Sequence, residues 1–117
     1  MYMITKFKLF ESVNDGTPGV GDYVIVNETE EENFYSDDAL NFINNSIGII
    51  FKKAGAHSFL IKYFDIPKNI IVYFQYSDYS DGLKVGNGIL TSIKKIKYWS
   101  KDKEELIPLI QATKYNL

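Results

Sequence analysis

Gly16-Thr17-Pro18-Gly19-Val20-Gly21 sets two glycines at the G-x-x-x-x-G spacing of a phosphate-binding loop. In such a loop a Lys directly after the second glycine reaches the β- and γ-phosphates, and the Ser or Thr that follows holds Mg²⁺. Here those two positions are Asp22 and Tyr23. A carboxylate at the mouth of the cradle repels phosphate. Tyr23-Val24-Ile25-Val26 is aromatic and β-branched where a helix would have to begin, so the loop is expected to feed a strand over Asp22 to Val26. The dinucleotide spacing G-x-G-x-x-G fails as well, because its third glycine position is Val24. No nucleotide and no other cofactor is expected.

The remaining reactive side chains form no recognisable set. The chain has no cysteine, which excludes disulfides, thiolate catalysis and Cys-ligated zinc. Its single histidine, His57, has no second His or Cys with which to hold a metal, and it reads as a solvated turn residue. His57 and Ser58 are no catalytic pair, since adjacent residues of an extended chain point to opposite faces. Acid–base catalysis needs a titratable pair in a cleft with pKa values pushed apart, and the candidates are Asp65, Asp78 and Asp81, plus His57, all in segments read as loops. A calcium loop with Gly82 as its sixth position would need carboxylates at Ser77, Tyr79, Asp81 and Gly88, and only Asp81 is one. Neither a metal site nor catalytic residues are expected, and the chain is read as a non-enzyme.

Composition points to binding instead. Nine tyrosines and eight phenylalanines fall within 117 residues. Most must fill the core, with Phe59, Ile61, Tyr63, Phe74 and Trp99 as its expected members. Tyr76 and Tyr79 differ, because they stand among Asp78, Asp81, Ser and Gly, where an aromatic ring has little core to join and is free to anchor a partner. Phe34 and Tyr35 form a similar pair at the end of the acidic run Asn27 to Asp38. That run carries six carboxylates, Glu30, Glu31 and Glu32 among them, and no lysine. Together the two loops are expected to form a tyrosine-and-carboxylate surface suited to a basic patch on another protein.

All thirteen basic residues are lysines. Without arginine the chain lacks the planar fork that reads guanine edges and phosphates bidentately, and at a net charge of −2 it is a poor general nucleic-acid binder. Lys94, Lys95 and Lys97, beside Tyr98 and Trp99, are nonetheless the residues that a nucleic-acid-associated protein of this sequence would use.

These residues need a scaffold, and the turn chemistry outlines one. Tyr2 to Phe10 reads as a weak strand, and Val13 to Gly19 as a turn. After β-strand 22–26 and the acidic run, Ser36, Asp37 or Asp38 caps a short helix through about Asn44 that buries Leu40 and Ile43. A strand over Ile47 to Phe51 follows, with Gly48 expected at a bend or bulge, then the Ala54-Gly55-Ala56 turn. Ser58 to Phe64 sets Phe59, Ile61 and Tyr63 on one face. Asp65 to Asn69 breaks that strand, Ile70 to Gln75 starts another, Tyr76 to Gly88 is the longest loop, and Ile89 to Trp99 is strand-like. Ser100 or Asp102, with Glu105 three residues after Asp102, caps a C-terminal helix containing Pro108. The expected fold is mainly β: one small SH3-like barrel of five to six strands spanning residues 1–117, with an inserted helix and a C-terminal helix, or alternatively an OB-fold. No apolar run approaches a membrane span, and Met1 to Val13 alternates instead of forming a signal sequence, so neither membrane insertion nor export is expected. Exposed edge strands leave a homodimer open.

Four phrases, GDYVIV (Gly21 to Val26), FINNSIGII (Phe42 to Ile50), FLIKYFDIP (Phe59 to Pro67) and IKYWSKDKEEL (Ile96 to Leu106), together resemble a group of small uncharacterised proteins of large bacteriophages and giant viruses. The resemblance covers about three quarters of the chain. It implies a viral SH3-like barrel closed by a short helix, without implied catalytic residues. With it comes the expectation of a binding protein in the cytoplasm of a bacterial host, engaging a host or viral protein through its loops, for example as an inhibitor of a defence system. A nucleic-acid-associated barrel and a virion or assembly protein are the alternatives. The acidic run and the Tyr76 to Gly88 loop depart from the group.

Overall fold

The computed structural model describes residues 13–29, 34–74 and 87–115, with side chains to residue 112. The expected first strand, and the Glu30, Glu31, Glu32, Tyr76, Asp78, Tyr79 and Asp81 positions, lie outside these residues. Within them, five strands form one antiparallel sheet: β1 (Tyr23–Val26), β2 (Gly48–Lys53), β3 (Ser58–Lys62), β4 (Gly88–Ser92) and β5 (Ile96–Ser100), in the spatial order β4-β3-β2-β1-β5. Helix α1 (Asp37–Asn44) is inserted between β1 and β2, and helix α2 (Lys103–Tyr115) follows β5. The fold is therefore mainly β, as the sequence implies. The described sheet is open, with β4 and β5 as its outer strands, and this much is compatible with a small barrel.

β1 explains why the loop before it cannot become a helix. Val24 and Val26 enter the main core, with Ile43, Ile50, Ile61, Tyr63 and Phe74, whereas Ile25 packs on the other side against Leu106 and Ile110 of α2. Burial on both faces calls for a continuous apolar strand, and YVIV supplies it. α1 forms where the capping residues predict: Ser36 Oγ accepts from Ala39 N at 3.2 Å, and Ala39, Leu40 and Ile43 are buried. For α2, Asp102 Oδ1 accepts from Glu104 N at 3.0 Å, while Ser100 Oγ accepts from Asp102 N and donates to Glu105 Oε1 at 2.6 Å. The helix runs through Pro108.

Three local expectations are corrected. The described part of the expected strand from Ile70, through Phe74, is not a strand: residues Lys68–Tyr73 form a 3-10 helix after Pro67. Burial decides it, since Ile70 and Phe74 turn inward at helical spacing and leave Ile71 and Val72 outside. The Ile89 to Trp99 stretch is two strands separated by a 3-10 turn at Ile93–Lys95, opened by Ser92 Oγ accepting from Lys94 N. The bulge in β2 falls between Ile50 and Lys52, not at Gly48. Gly48 serves a different purpose, a close approach to β3.

Candidate functional site

The glycine loop is occupied by the protein's own carboxylate. Asp22 is 5% exposed, and its Oδ2 accepts from Gly19 N at 2.9 Å while its N donates to Gly19 O at 3.0 Å. Asp22 Oδ1 lies 3.2 Å from Lys101 Nζ. Gly21, at φ 94°, directs its N–H to Ile50 O. With these two amides turned to Asp22 and to β2, the loop does not aim them at a phosphate, in keeping with its sequence. It does border a cleft of about 200 Å³ lined by Asp15, Thr17, Gly19, Asp22, Trp99, Ser100 and Lys101.

The two loops singled out by composition are linked at their described flanks. Phe34 and Tyr35, at the end of the acidic run, meet Tyr73, two residues before the Gln75 to Gly86 segment. Ring centroids are 4.9 Å apart for Phe34–Tyr35, 5.7 Å for Tyr35–Tyr73 and 6.2 Å for Phe34–Tyr73, mostly edge to face. Phe34 is 59% exposed, Val72 68% and Ile71 38%. Asp38 Oδ2 accepts from Asn69 Nδ2 at 3.2 Å, tying the first turn of α1 to the 3-10 helix. Phe34, Tyr35 and Tyr73 thus form an aromatic cluster beside the segment that Asp38 holds through Asn69, and the acidic stretch Glu30 to Glu32 is joined to it in sequence. Ile71, Val72 and Tyr73 were not among the expected binding residues, because their segment reads as a strand. Pro67 followed by Ile70 and Phe74 at i, i+4 spacing was the signal available for a helical turn.

The lysines are distributed differently. Lys95 Nζ lies 2.5 Å from Oε1 of the buried Glu28. Glu28 in turn pairs its backbone with Asn44, whose Oδ1 accepts from Glu28 N at 2.6 Å and whose Nδ2 donates to Glu28 O at 2.9 Å. This group joins β1, α1 and the corner before β5, so Lys95 is committed to the fold. Lys94 and Lys97 are exposed, Lys97 Nζ lying 5.4 Å from the centre of the Tyr98 ring. Tyr98 packs toward α2, and Trp99 packs against the main core with its indole N–H donating to Asp15 O at 3.3 Å. His57 and Asp65 are exposed. No group of three or more His, Cys, Asp or Glu placed to hold a metal occurs among the described residues, nor does a helix long and apolar enough to cross a membrane.

One buried phenol stands apart. Tyr63 Oη has no hydrogen-bond partner among the described residues, and burial, with Glu28 and Tyr35 adding, pushes its pKa far above the ordinary tyrosine value. The folded chain therefore keeps this proton when the unfolded chain, titrating near ~10, has lost it, so stability falls as pH rises above about 10 by up to about 1.4 kcal/mol per pH unit. Tyr63→Phe is expected to be neutral or stabilising by about 1 kcal/mol at pH 7, since it deletes an unsatisfied buried hydroxyl. The gain should widen at pH 11 in urea unfolding. A variant less stable than the parent by more than about 1 kcal/mol would reveal a partner for the hydroxyl.

No protein-family model, curated protein or solved structure matches the chain, so the functional reading rests on these residues and their placement.

Proposed function

We propose that this chain is a non-enzymatic binding domain, an SH3-like barrel of viral or mobile-element origin acting in the bacterial cytoplasm, that engages a basic, apolar-centred surface of a host or viral protein. The observation that carries this reading is the meeting of Phe34 and Tyr35 with Tyr73, which brings the flanks of the acidic run and of the tyrosine-bearing segment together, with Phe34 open to solvent and Ile71 and Val72 exposed on the 3-10 helix that carries Tyr73. An exposed phenylalanine ring next in sequence to a run of carboxylates matches the chemistry of a protein interface, where the ring contributes affinity and the charges steer the encounter. The path of the chain favours the SH3-like arrangement over an OB-fold: β1 to β4 are successive neighbours, and a single 3-10 turn returns β5 to β1. An inhibitor of a host factor is the concrete form this reading takes.

The test is capture from nuclease-treated bacterial lysate by the tagged chain, followed by affinity measurement with the captured protein. Phe34→Ala combined with Val72→Asp is expected to weaken binding at least about tenfold, as removal of an interface anchor does. Reversing Glu30, Glu31 and Glu32 to Lys should slow association and reduce its salt dependence. Unchanged affinity in the Phe34/Val72 variant, with the fold intact by circular dichroism, would sink the proposed surface. Retention of nucleic acid alone, lost on changing Lys94 and Lys97, would replace it with the lysine-based reading.

A further inference from the structure

The cleft beside the glycine loop carries an inference independent of the aromatic surface. Asp22 is buried, yet the cation on its Oδ1 comes from Lys101, whose side chain is 86% exposed and reaches the carboxylate from solvent at 3.2 Å. A buried carboxylate held by an exposed lysine is a weak, exchangeable pairing, because the ammonium loses little by returning to water. Around it stand Asp15, Thr17 and Trp99. The cleft's charged side chains, Asp15, Asp22 and Lys101, sum to −1, and would sum to −2 with Lys101 withdrawn. Its volume of about 200 Å³ falls below the roughly 300–1,000 Å³ of pockets that enclose a small ligand, so a side chain fits it better than a cofactor.

We infer that this cleft receives an arginine side chain from a partner protein, with Lys101 as the resident cation that the guanidinium displaces from Asp22. The planar guanidinium offers several donors to a carboxylate where the ammonium offers a point contact, and it interacts favourably with an indole. The chain itself contains no arginine, so any guanidinium in the cleft comes from outside. Asp22 retains its second oxygen for Gly19 N–H throughout, which keeps the loop in place while the cation exchanges.

Trp99 is the chain's single tryptophan and lines the cleft, so its fluorescence reads the site directly. The experiment titrates the full chain at constant ionic strength with N-acetyl-arginine amide, N-acetyl-lysine amide and N-acetyl-citrulline amide, the last being a neutral isostere of arginine. A saturable change with the arginine compound is expected, at least about fivefold weaker with lysine or citrulline, as loss of the fork or the charge dictates. Lys101→Ala should tighten arginine binding several-fold, and Asp22→Asn, which still offers an oxygen to Gly19 N–H, should weaken it at least about tenfold. Should Asp22→Asn fail to fold, Lys101→Ala decides alone, because its side chain is exposed. Equal responses to arginine and citrulline, equal responses to arginine and lysine, no saturation, or no effect of Lys101→Ala would each overturn the inference.

Discussion

Phe74→Ala is expected to destabilise the protein by about 3–5 kcal/mol, the range for removing a buried phenylalanine ring, out of the ~5–15 kcal/mol that holds a typical domain folded. Phe74 is buried, and its ring lies 5.7 Å from both Phe42 and Tyr63, edge to face, while those two rings are 6.0 Å apart. The three rings join α1, the end of β3 and the 3-10 helix at one point, so no single neighbour can move in to fill the space. Val72, two residues earlier, points to solvent, and Val72→Ala should change stability by no more than about 0.5 kcal/mol. Urea unfolding of the two variants checks the contrast. A loss below about 1.5 kcal/mol for Phe74→Ala would mean that the aromatic trio does not act as a packed unit.

That contrast also bears on function. Phe74 fixes the segment from inside, Tyr73 packs half-buried between the core and Phe34, and Val72 is left exposed on the same 3-10 helix. The proposed binding surface is thus positioned by core packing together with the Asn69–Asp38 hydrogen bond. A partner-binding defect caused by Phe74→Ala would be indirect, and the Phe34→Ala, Val72→Asp pair is the cleaner probe of the surface itself.

Much of this was legible in the sequence where one local signal dominated. Ser36 before Asp37-Asp38 announced α1, Gly55 the turn between β2 and β3, and the alternation of Phe59, Ile61 and Tyr63 the inward face of β3. The strand that the glycine loop feeds was readable for the same reason, because the aromatic and β-branched Tyr23-Val24-Ile25-Val26 forms β1. The errors arose where two signals compete. Ile70 to Phe74 is rich in β-branched and aromatic residues, and its strand propensity outweighs the helical spacing of its two buried positions until the core is known. Within 89–99 the 3-10 turn at Ile93–Lys95 depends on one serine hydroxyl, a signal too short to register as periodicity. The cleft at Asp15, Asp22, Trp99 and Lys101 joins residues more than 75 positions apart, so no local pattern shows it.

Gly48 shows how a residue expected for one reason can be required for another. A Cβ added there would lie 2.5 Å from Ile61 Cγ2, 3.1 Å from Tyr63 Cε1 and 3.2 Å from the Lys62 carbonyl oxygen. Ile61 is fully buried and β-branched, so it has few rotamers to retreat into, and the carbonyl is fixed in the sheet. Gly48→Ala is therefore expected to cost about 2–3 kcal/mol despite the small gain from a stiffer unfolded chain, and Gly48→Val more. The identity of the clashing atom makes the cause separable. Leucine carries no methyl at the Cγ2 position, so Ile61→Leu, costing under about 1.5 kcal/mol alone, should recover part of the loss when combined with Gly48→Ala. A double-mutant cycle measures this as a favourable coupling of about 1 kcal/mol between the two sites. Additive effects would place the strain of Gly48→Ala on Tyr63 or the Lys62 carbonyl, and a neutral Gly48→Ala would show that β2 and β3 can separate at this point without loss.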